Sequence, residues 1–441
     1  MFTNQALKKL IIPLVIEQVL VMLVGMADTA MVSYAGEAAI SGVALVDMFA
    51  YMIITILTAV ATGGAVIVSQ YLGSRDKENA CRSASQLLTV TLLISLAITV
   101  ICEVFHRGIL QLFFGAIEPE VMEAASSYLV ITALSFPFLS VYNSSAALFR
   151  SMEKTNVTMY VSLLMNAINV AGNAIGIFVL HAGVVGVAVP TLLSRVAAGL
   201  VMCALAFSRK NQVSVRFGQI LAWDRACVRR ILRIAVPNGI ENGLFALGKV
   251  LVTSIVAMFG TAQIAANGVS NSVNQIAIIV VSAINLAMVT VVGQCVGAND
   301  YQAAQHYTKK LMKLSYLCTA VLGTAVCLCL PLLLQFYELS EETYRLTCIL
   351  VVMHNLFAMA LHPTSFNLSN SLRAAGDARF TMYVGIGSML IFRLGTAVLF
   401  GIVLNMGIIG VWIAMGADWL ARSAAFVLRY KSGRWKGFRA V

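Results

Sequence analysis

Twelve runs of more than twenty mostly apolar residues fill this chain, at roughly 10–34, 40–69, 84–105, 122–148, 158–180, 184–207, 232–258, 263–295, 310–336, 344–371, 381–404 and 407–429. At 1.5 Å per helical residue, each is long enough to cross a hydrocarbon layer of about 30 Å. Charged residues make up only 11% of the 441, about half the share of a typical soluble domain, and 60% are hydrophobic. The pattern therefore predicts an all-α membrane protein with twelve transmembrane helices. The first run follows MFTNQALKK and continues to about Tyr34, longer than the apolar core of a cleavable leader, so it is expected to be a span. Nine cysteines sit mostly inside apolar runs and form no CxxC pair, so neither a disulfide framework nor a zinc site is expected.

The net charge of +11 is a topology signal, and no nucleic-acid partner is expected from it. With the N-terminus placed in the cytoplasm, all but five of the 30 Lys and Arg fall on cytoplasmic segments or span ends. The outer loops hold only Arg107 and Arg345, while Arg195, Lys249 and Arg393 lie within spans. Those loops carry acids instead, Glu118, Glu120 and Glu123 in one and Glu338, Glu341 and Glu342 in another. Excess positive charge stays inside, which places both termini in the cytoplasm of a multi-pass inner-membrane protein.

A duplication sets the architecture. IPLVIEQ at 12–18 matches VPNGIEN at 236–242, an offset of 224 that also aligns SQYLGSRD (69–76) with GQCVGAND (293–300) and AGVVGVAV (182–189) with MGIIGVWI (406–413). At offset 223, LFRSMEKTNVTMYV (148–161) meets SLRAAGDARFTMYV (371–384). Each copy holds six spans, an even number, so the copies enter the bilayer in the same sense. This predicts two six-helix lobes related by a parallel repeat, at 1–207 and 224–441, joined by a basic cytoplasmic linker at 208–223, with a substrate path between them.

Eight ionisable residues lie within the spans: Glu17, Asp28, Asp47, Arg195, Glu241, Lys249, Arg393 and Asp418. A charge at mid-bilayer costs about 2.5–3.5 kcal/mol on insertion scales, so each should face protein or water. Glu17 and Asp28 stand three turns apart on one face of the first span. In the fifth span Asn166, Asn169 and Asn173 form a single stripe, and Asn143 and Thr191 add oxygens from the fourth and sixth. Oxygens gathered around one carboxylate suit a proton or a hard cation such as Na⁺. In the second copy Gln263, Asn267, Asn271 and Asn274 line one face of the eighth span, Asn271 stands at the place of Asp47, and Arg393 at that of Asn169. Asp418 and Arg422, one turn apart, are expected to form a local salt bridge. Pro13 and Pro237 lie inside helical patterns and should free carbonyls one turn back.

The stretches GMADTAMVSYAGEAAISGVAL, ATGGAVIVSQYLG, FPFLSVYNSSAALFRSMEKTNVTMYVSLLMNAINVAGN and HAGVVGVAVPTLLSR, in this order, resemble the multidrug and toxic compound extrusion (MATE) family of secondary transporters over essentially the whole chain. The resemblance implies alternating access and export of drug-like, mainly cationic organic compounds by antiport with H⁺ or Na⁺. Carried over, it places an amino-terminal cation site at Asp28, Asn169 and Thr191, with Asn173 where many members have a second carboxylate. A site that another branch builds on acids of the seventh and tenth helices is not carried over, because the tenth span has none and Glu241 is off that spacing. Glu17, Asp47, Glu241, Lys249, Asn267, Asn271, Asn274 and Arg393 are expected to line the substrate cavity. No cofactor beyond the coupling ion is expected, and the chain should act as a monomer. The alternative within the superfamily is a flippase of lipid-linked oligosaccharides, for which Lys249 and Arg393 would hold phosphate. A membrane-embedded enzyme lacks its motifs here: there is no HExxH, and the five His stand scattered at 106, 181, 306, 354 and 362.

Overall fold

A computed structural model describes residues 2–115, 118–337 and 339–441, apart from the side chains of Thr29 and Ser33. Glu338 and the Thr29 side chain of the Asp-Thr pair thus lie outside the described residues. Among those described there is no β-strand. Two compact units divide the chain at Gly239 and Ile240.

The first unit contains α1 (Asn4–Val32), α2 (Glu37–Gly73), α3 (Lys77–Phe114), α4 (Pro119–Ala133), α5 (Phe136–Ser151), α6 (Thr155–Ala174) ending in a π-helical stretch (Ile175–Val179), α7 (Val185–Ala206), the short α8 (Phe217–Leu221) and the start of α9 (Arg225–Ala257). The second unit takes the rest of α9, then α10 (Thr261–Gly297), α11 (Tyr301–Leu334), α12 (Glu341–Ala374), α13 (Ala378–Gly387) extended by π-helical stretches (Ser388–Gly395 and Val398–Val403), and α14 (Gly407–Lys431).

Eleven of these helices are long and apolar enough to cross a membrane, and twelve spans result when the pair α4 and α5, bent by 48°, counts as one. The fourth span expected at 122–148 is therefore broken rather than straight. The cause is local. Pro137 has no N–H, and its ring crowds the carbonyl four residues back, that of Ala133. Thr99 Oγ1 on α3 donates to that freed carbonyl at 3.0 Å. Pro13 shows the same device inside α1, where Thr155 Oγ1 bonds the Lys9 and Leu10 carbonyls at 3.2 and 3.0 Å.

The duplication is written into the backbone. Positive φ recurs at equivalent turns, Gly36 (100°) with Gly260 (102°), Arg75 (62°) with Asn299 (59°), and His181 (48°) with Asn405 (54°). Asp76 caps α3 by accepting from Asn79 N at 3.1 Å, and Asp300 caps α11 by accepting from Ala303 N at 2.8 Å.

The unit boundary falls inside α9, not in the basic linker at 208–223. The start of α9 belongs with the first unit because Gly63 brings α2 against Ile231 and Ala235, where an added Cβ would lie 2.8 Å from that of Ala235. The linker itself is docked. Val213 and Val215 are buried, and Gln86 Nε2 on α3 donates to the carbonyls of Gln219 and Ala222 at 2.6 and 2.7 Å.

Within the first unit Val46, Phe49, Ile53 and Leu57 present one α2 face to a core shared with Leu129 and Val187. Large apolar side chains such as Leu112 (82% exposed) and Leu328 (77%) face outward instead. That inverts the soluble pattern and suits lipid contact.

Candidate functional site

The first unit holds a partly open cavity of about 450 Å³ whose polar lining is Asp28, Asp47, Tyr128, Asn166, Asn169, Thr191, Ser194 and Arg195. Five helices contribute: α1 gives Asp28, α2 Asp47, α4 Tyr128, α6 the asparagines and α7 the remainder. Close helix contact lies next to its lining. A Cβ on Gly172 would lie 2.6 Å from that of Pro190, and one on Gly176 would lie 2.1 Å from the Gly186 carbonyl oxygen. Only glycine lets α6 and α7 approach this closely beside Asn173 and Thr191.

Asp28 is held by two amides. Asn173 Nδ2 donates to Asp28 Oδ1 at 2.9 Å. Oriented with its nitrogen toward the carboxylate, the Asn169 amide donates to Oδ1 and Oδ2 at 2.9 and 3.1 Å, and its oxygen lies 3.2 Å from Thr191 Oγ1. The opposite orientation would set the amide oxygen against a carboxylate oxygen. Thr191 also sits 2.9 Å from the Val187 carbonyl, and its single proton serves one acceptor at a time. Across the cavity Tyr128 donates to Asp47 Oδ1 at 3.3 Å. Arg195 donates from Nη1 to Ser135 Oγ at 2.8 Å, at the break between α4 and α5. Among the described residues Arg195 closes no ion pair within 4.0 Å with Asp28 or Asp47. Two carboxylates and one guanidinium thus face a common space.

The structure brings together Asp28, Asn169, Asn173 and Thr191. Asn143 does not join them. It lies on α5 away from the cavity lining, with a buried Nδ2 that finds no partner. Asp47, expected in the substrate cavity, stands with Asp28 instead. Arg195, given no role from sequence, completes the set, although it lies one helical turn beyond Thr191 and shares its face.

Glu17 and Glu241 require correction. Each is buried in an ion pair rather than open to a ligand. Glu17 lies 3.6 Å from Arg150 Nη1 and accepts from Thr158 Oγ1 at 3.1 Å, and Glu241 accepts from Arg373 Nη2 at 2.8 Å. Both pairs obey the repeat offsets, so each copy ties its first long helix to the end of its fourth span by one Glu–Arg contact. Asn267 accepts from Trp412 Nε1 at 3.1 Å and Asn274 from Asn355 Nδ2 at 3.0 Å, while Asn271 is exposed. These two bonded asparagines join helices. Lys249 stands over the Phe245 ring at 5.2 Å, and Arg393 Nε is buried without a partner among the described residues. Asp418 and Arg422 form the expected one-turn pair at 3.0 Å.

This arrangement of duplicated membrane helices can be set beside known proteins. The MatE family profile matches residues 13–175 and 237–412, one block in each copy. The chain is 29% identical over 431 residues to the uncharacterized transporter YisQ of Bacillus subtilis, covering 96% of this chain and 93% of that one. It is 26% identical over 445 residues to the probable multidrug resistance protein NorM of Thermotoga maritima, covering 98% and 93%. A solved outward-facing multidrug resistance MATE transporter superposes with a TM-score of 0.91 at 21% identity, over 98% of this chain and 96% of that chain, and so shares the fold. Together with a family match over most of its length, this makes the chain a multi-pass membrane protein of the MATE family of multidrug efflux transporters, not an enzyme.

Proposed function

We propose that this protein is a secondary active exporter that moves drug-like, mainly cationic organic compounds out of the cytoplasm in exchange for H⁺ or Na⁺, as a monomer in the inner membrane with both termini inside. The observation that carries this reading is the shared cavity of Asp28, Asp47 and Arg195. With all three ionised it holds one net negative charge, which one monovalent cation neutralises. The amides of Asn169 and Asn173 are suited to both states. Facing the empty carboxylate they donate N–H groups, and turned about χ2 they offer oxygens to Na⁺ or to a protonated Asp28. Loading therefore changes how α1 is held against α6, and a ligand that interacts differently with two helix arrangements shifts the balance between them.

The test is export of a fluorescent organic cation from proteoliposomes under separately imposed sodium and proton gradients. Asp28→Asn should abolish gradient-driven export while the protein elutes as a folded monomer; full export by that variant would refute the coupling role. A second reading, a flippase of lipid-linked oligosaccharides, draws support from Lys249 and Arg393, which have no carboxylate within 4.0 Å among the described residues. Gradient-driven dye export excludes it as the main activity.

A further inference from the structure

The second unit holds buried charge that the coupling site does not use. On α9, Glu241, Phe245, Lys249, Val252 and Val256 recur at helical spacing on a single face. Glu241, Val252 and Val256 are buried against their own unit, yet Lys249 in the middle of this stripe is exposed. Lys249 therefore keeps part of its side chain open on a face that is otherwise closed over by its own unit. Its surroundings are aromatic and cationic. Lys249 Nζ stands 5.2 Å and the Arg422 guanidinium 4.9 Å from the Phe245 ring centre, and Arg422 lies 5.8 Å from that of Phe366. His362 stacks on Phe366 at 4.4 Å.

Charge in this cluster does not balance. Arg393 lies within electrostatic reach of both Lys249 and Arg422, and among the described residues Asp418 is the carboxylate that acts on it. Asp418 Oδ1 is already engaged by Arg422 Nε at 3.0 Å. Among the described residues two positive charges therefore remain without a carboxylate of their own, an arrangement that attracts an anion. Polar atoms are left over as well. Among the described residues, Arg393 Nε and the Nδ1 atoms of His354 and His362 (each histidine 6% exposed) have no partner. The Arg393 N–H is a donor, costly when buried without an acceptor, and a ligand oxygen would satisfy it; each imidazole nitrogen donates or accepts according to its tautomer.

We propose that Lys249 and Arg393 bind the carboxylate of an aromatic organic anion in the second unit, with its ring beside Phe245. This deepens the export reading by extending the cargo from cationic compounds to those bearing an acid group. The binding itself is measured at equilibrium with no gradient, so a failure of coupling leaves it standing, and its own failure leaves the coupling site intact.

The test uses the purified full chain and three probes of one shape: 1-naphthoate, neutral 1-naphthamide and 1-naphthylmethylammonium. Calorimetry, with quenching of Trp412 and Trp419 as a second readout, should show naphthoate binding about tenfold tighter than naphthamide, as expected for one charge-assisted contact. Lys249→Gln and Arg393→Gln should each weaken naphthoate by about tenfold and leave naphthamide unchanged, which also reports that the variants are folded. Lys249→Arg and Arg393→Lys keep the charge and should retain most of the preference. Equal binding of the three probes, or both glutamine variants within about twofold of the parent for naphthoate, would overturn the assignment. In vesicles the naphthoate affinity should be the same with and without phosphatidylglycerol. Its loss on adding that lipid would assign the cations to a headgroup phosphate and overturn the small-molecule site.

Discussion

Arg195→Gln offers a quantitative test of the charge count in the first unit. A cavity of about 450 Å³ is, as a sphere, about 9.5 Å across. For a guanidinium and a cation at Asp28 facing each other across such a space, roughly that distance is the working separation. At an effective dielectric constant of about 20, two unit charges so placed repel by about 1.7 kcal/mol, or about twentyfold in affinity. Removing Arg195 should therefore tighten cation loading by that factor, and the half-stimulating concentration of Na⁺ or of protons in the export assay should fall about twentyfold. Asp47→Asn removes attraction of similar size and should raise it by a similar factor. Ser135→Ala deletes the 2.8 Å contact that seats the guanidinium but leaves its charge, so it should shift the midpoint far less. In bulk water the same pair would be worth only about 0.4 kcal/mol, a factor of about two. A shift of that size or smaller, or shifts of one sign in both Arg195→Gln and Asp47→Asn, would refute the shared-cavity argument.

Other perturbations test separate parts of the reasoning. Asn173→Asp sets a second carboxylate where Nδ2 now donates to Asp28 at 2.9 Å, so it should strengthen the sodium dependence of export; an unchanged sodium response would count against a cation at this point. Glu241→Gln strands the Arg373 guanidinium and should cost about 3–5 kcal/mol, read as a lowered melting temperature in detergent. Glu17→Gln should cost less, because that pair is longer at 3.6 Å and its arginine side chain is 15% exposed against 7% for Arg373; equal losses would contradict this ranking. Two hydrogen bonds from Asn79 hold the Asp76 carboxyl below the usual carboxylate range. Its charge-assisted cap is therefore fully present above about pH 4 and lost as pH falls further. Asp76→Ala should cost about 1 kcal/mol near pH 7 and progressively less in acid, checked by melting curves across pH.

The parts of this protein that were legible in its sequence are those set by local spacing. The asparagine stripe on α6 follows from helical periodicity, and the repeat shows in blocks that prove to be caps and positive-φ turns, where few residue types serve. The break between α4 and α5 was not legible, although Pro137 is plain to see. A threonine from a neighbouring helix receives the freed carbonyl at both Pro137 and Pro13, yet of these two spans only that of Pro137 is broken, so a proline by itself does not give the outcome. Glu17 and Glu241 were misplaced because an intramembrane acid is equally suited to a ligand or to an arginine. The duplication held the answer, since Arg150 and Arg373 repeat in register with the two acids, but as residues at span ends they read as topology signals. Arg195 shows the opposite limit: its turn spacing from Thr191 was visible, and only the packing of α7 against α4 and α6 gives that face a cavity to look into.

The two copies have kept their scaffold and divided their chemistry, and the register shows how. At the repeat offset, Asp28 corresponds to Val252, Thr191 to Met415 and Arg195 to Trp419. All three of these second-copy residues are buried together in one apolar core. The space that is a cavity in the first unit is therefore filled in the second, where large side chains replace the acid, the hydroxyl and the guanidinium. Asn169, the residue that cradles Asp28, corresponds to Arg393, and the polar cluster of the second unit gathers there instead. A filled core and a cation site compete for the same volume, because a carboxylate needs water or polar partners that close apolar packing excludes. Packing alone thus argues against an equivalent coupling site in the second copy and leaves that half to bind something of opposite charge.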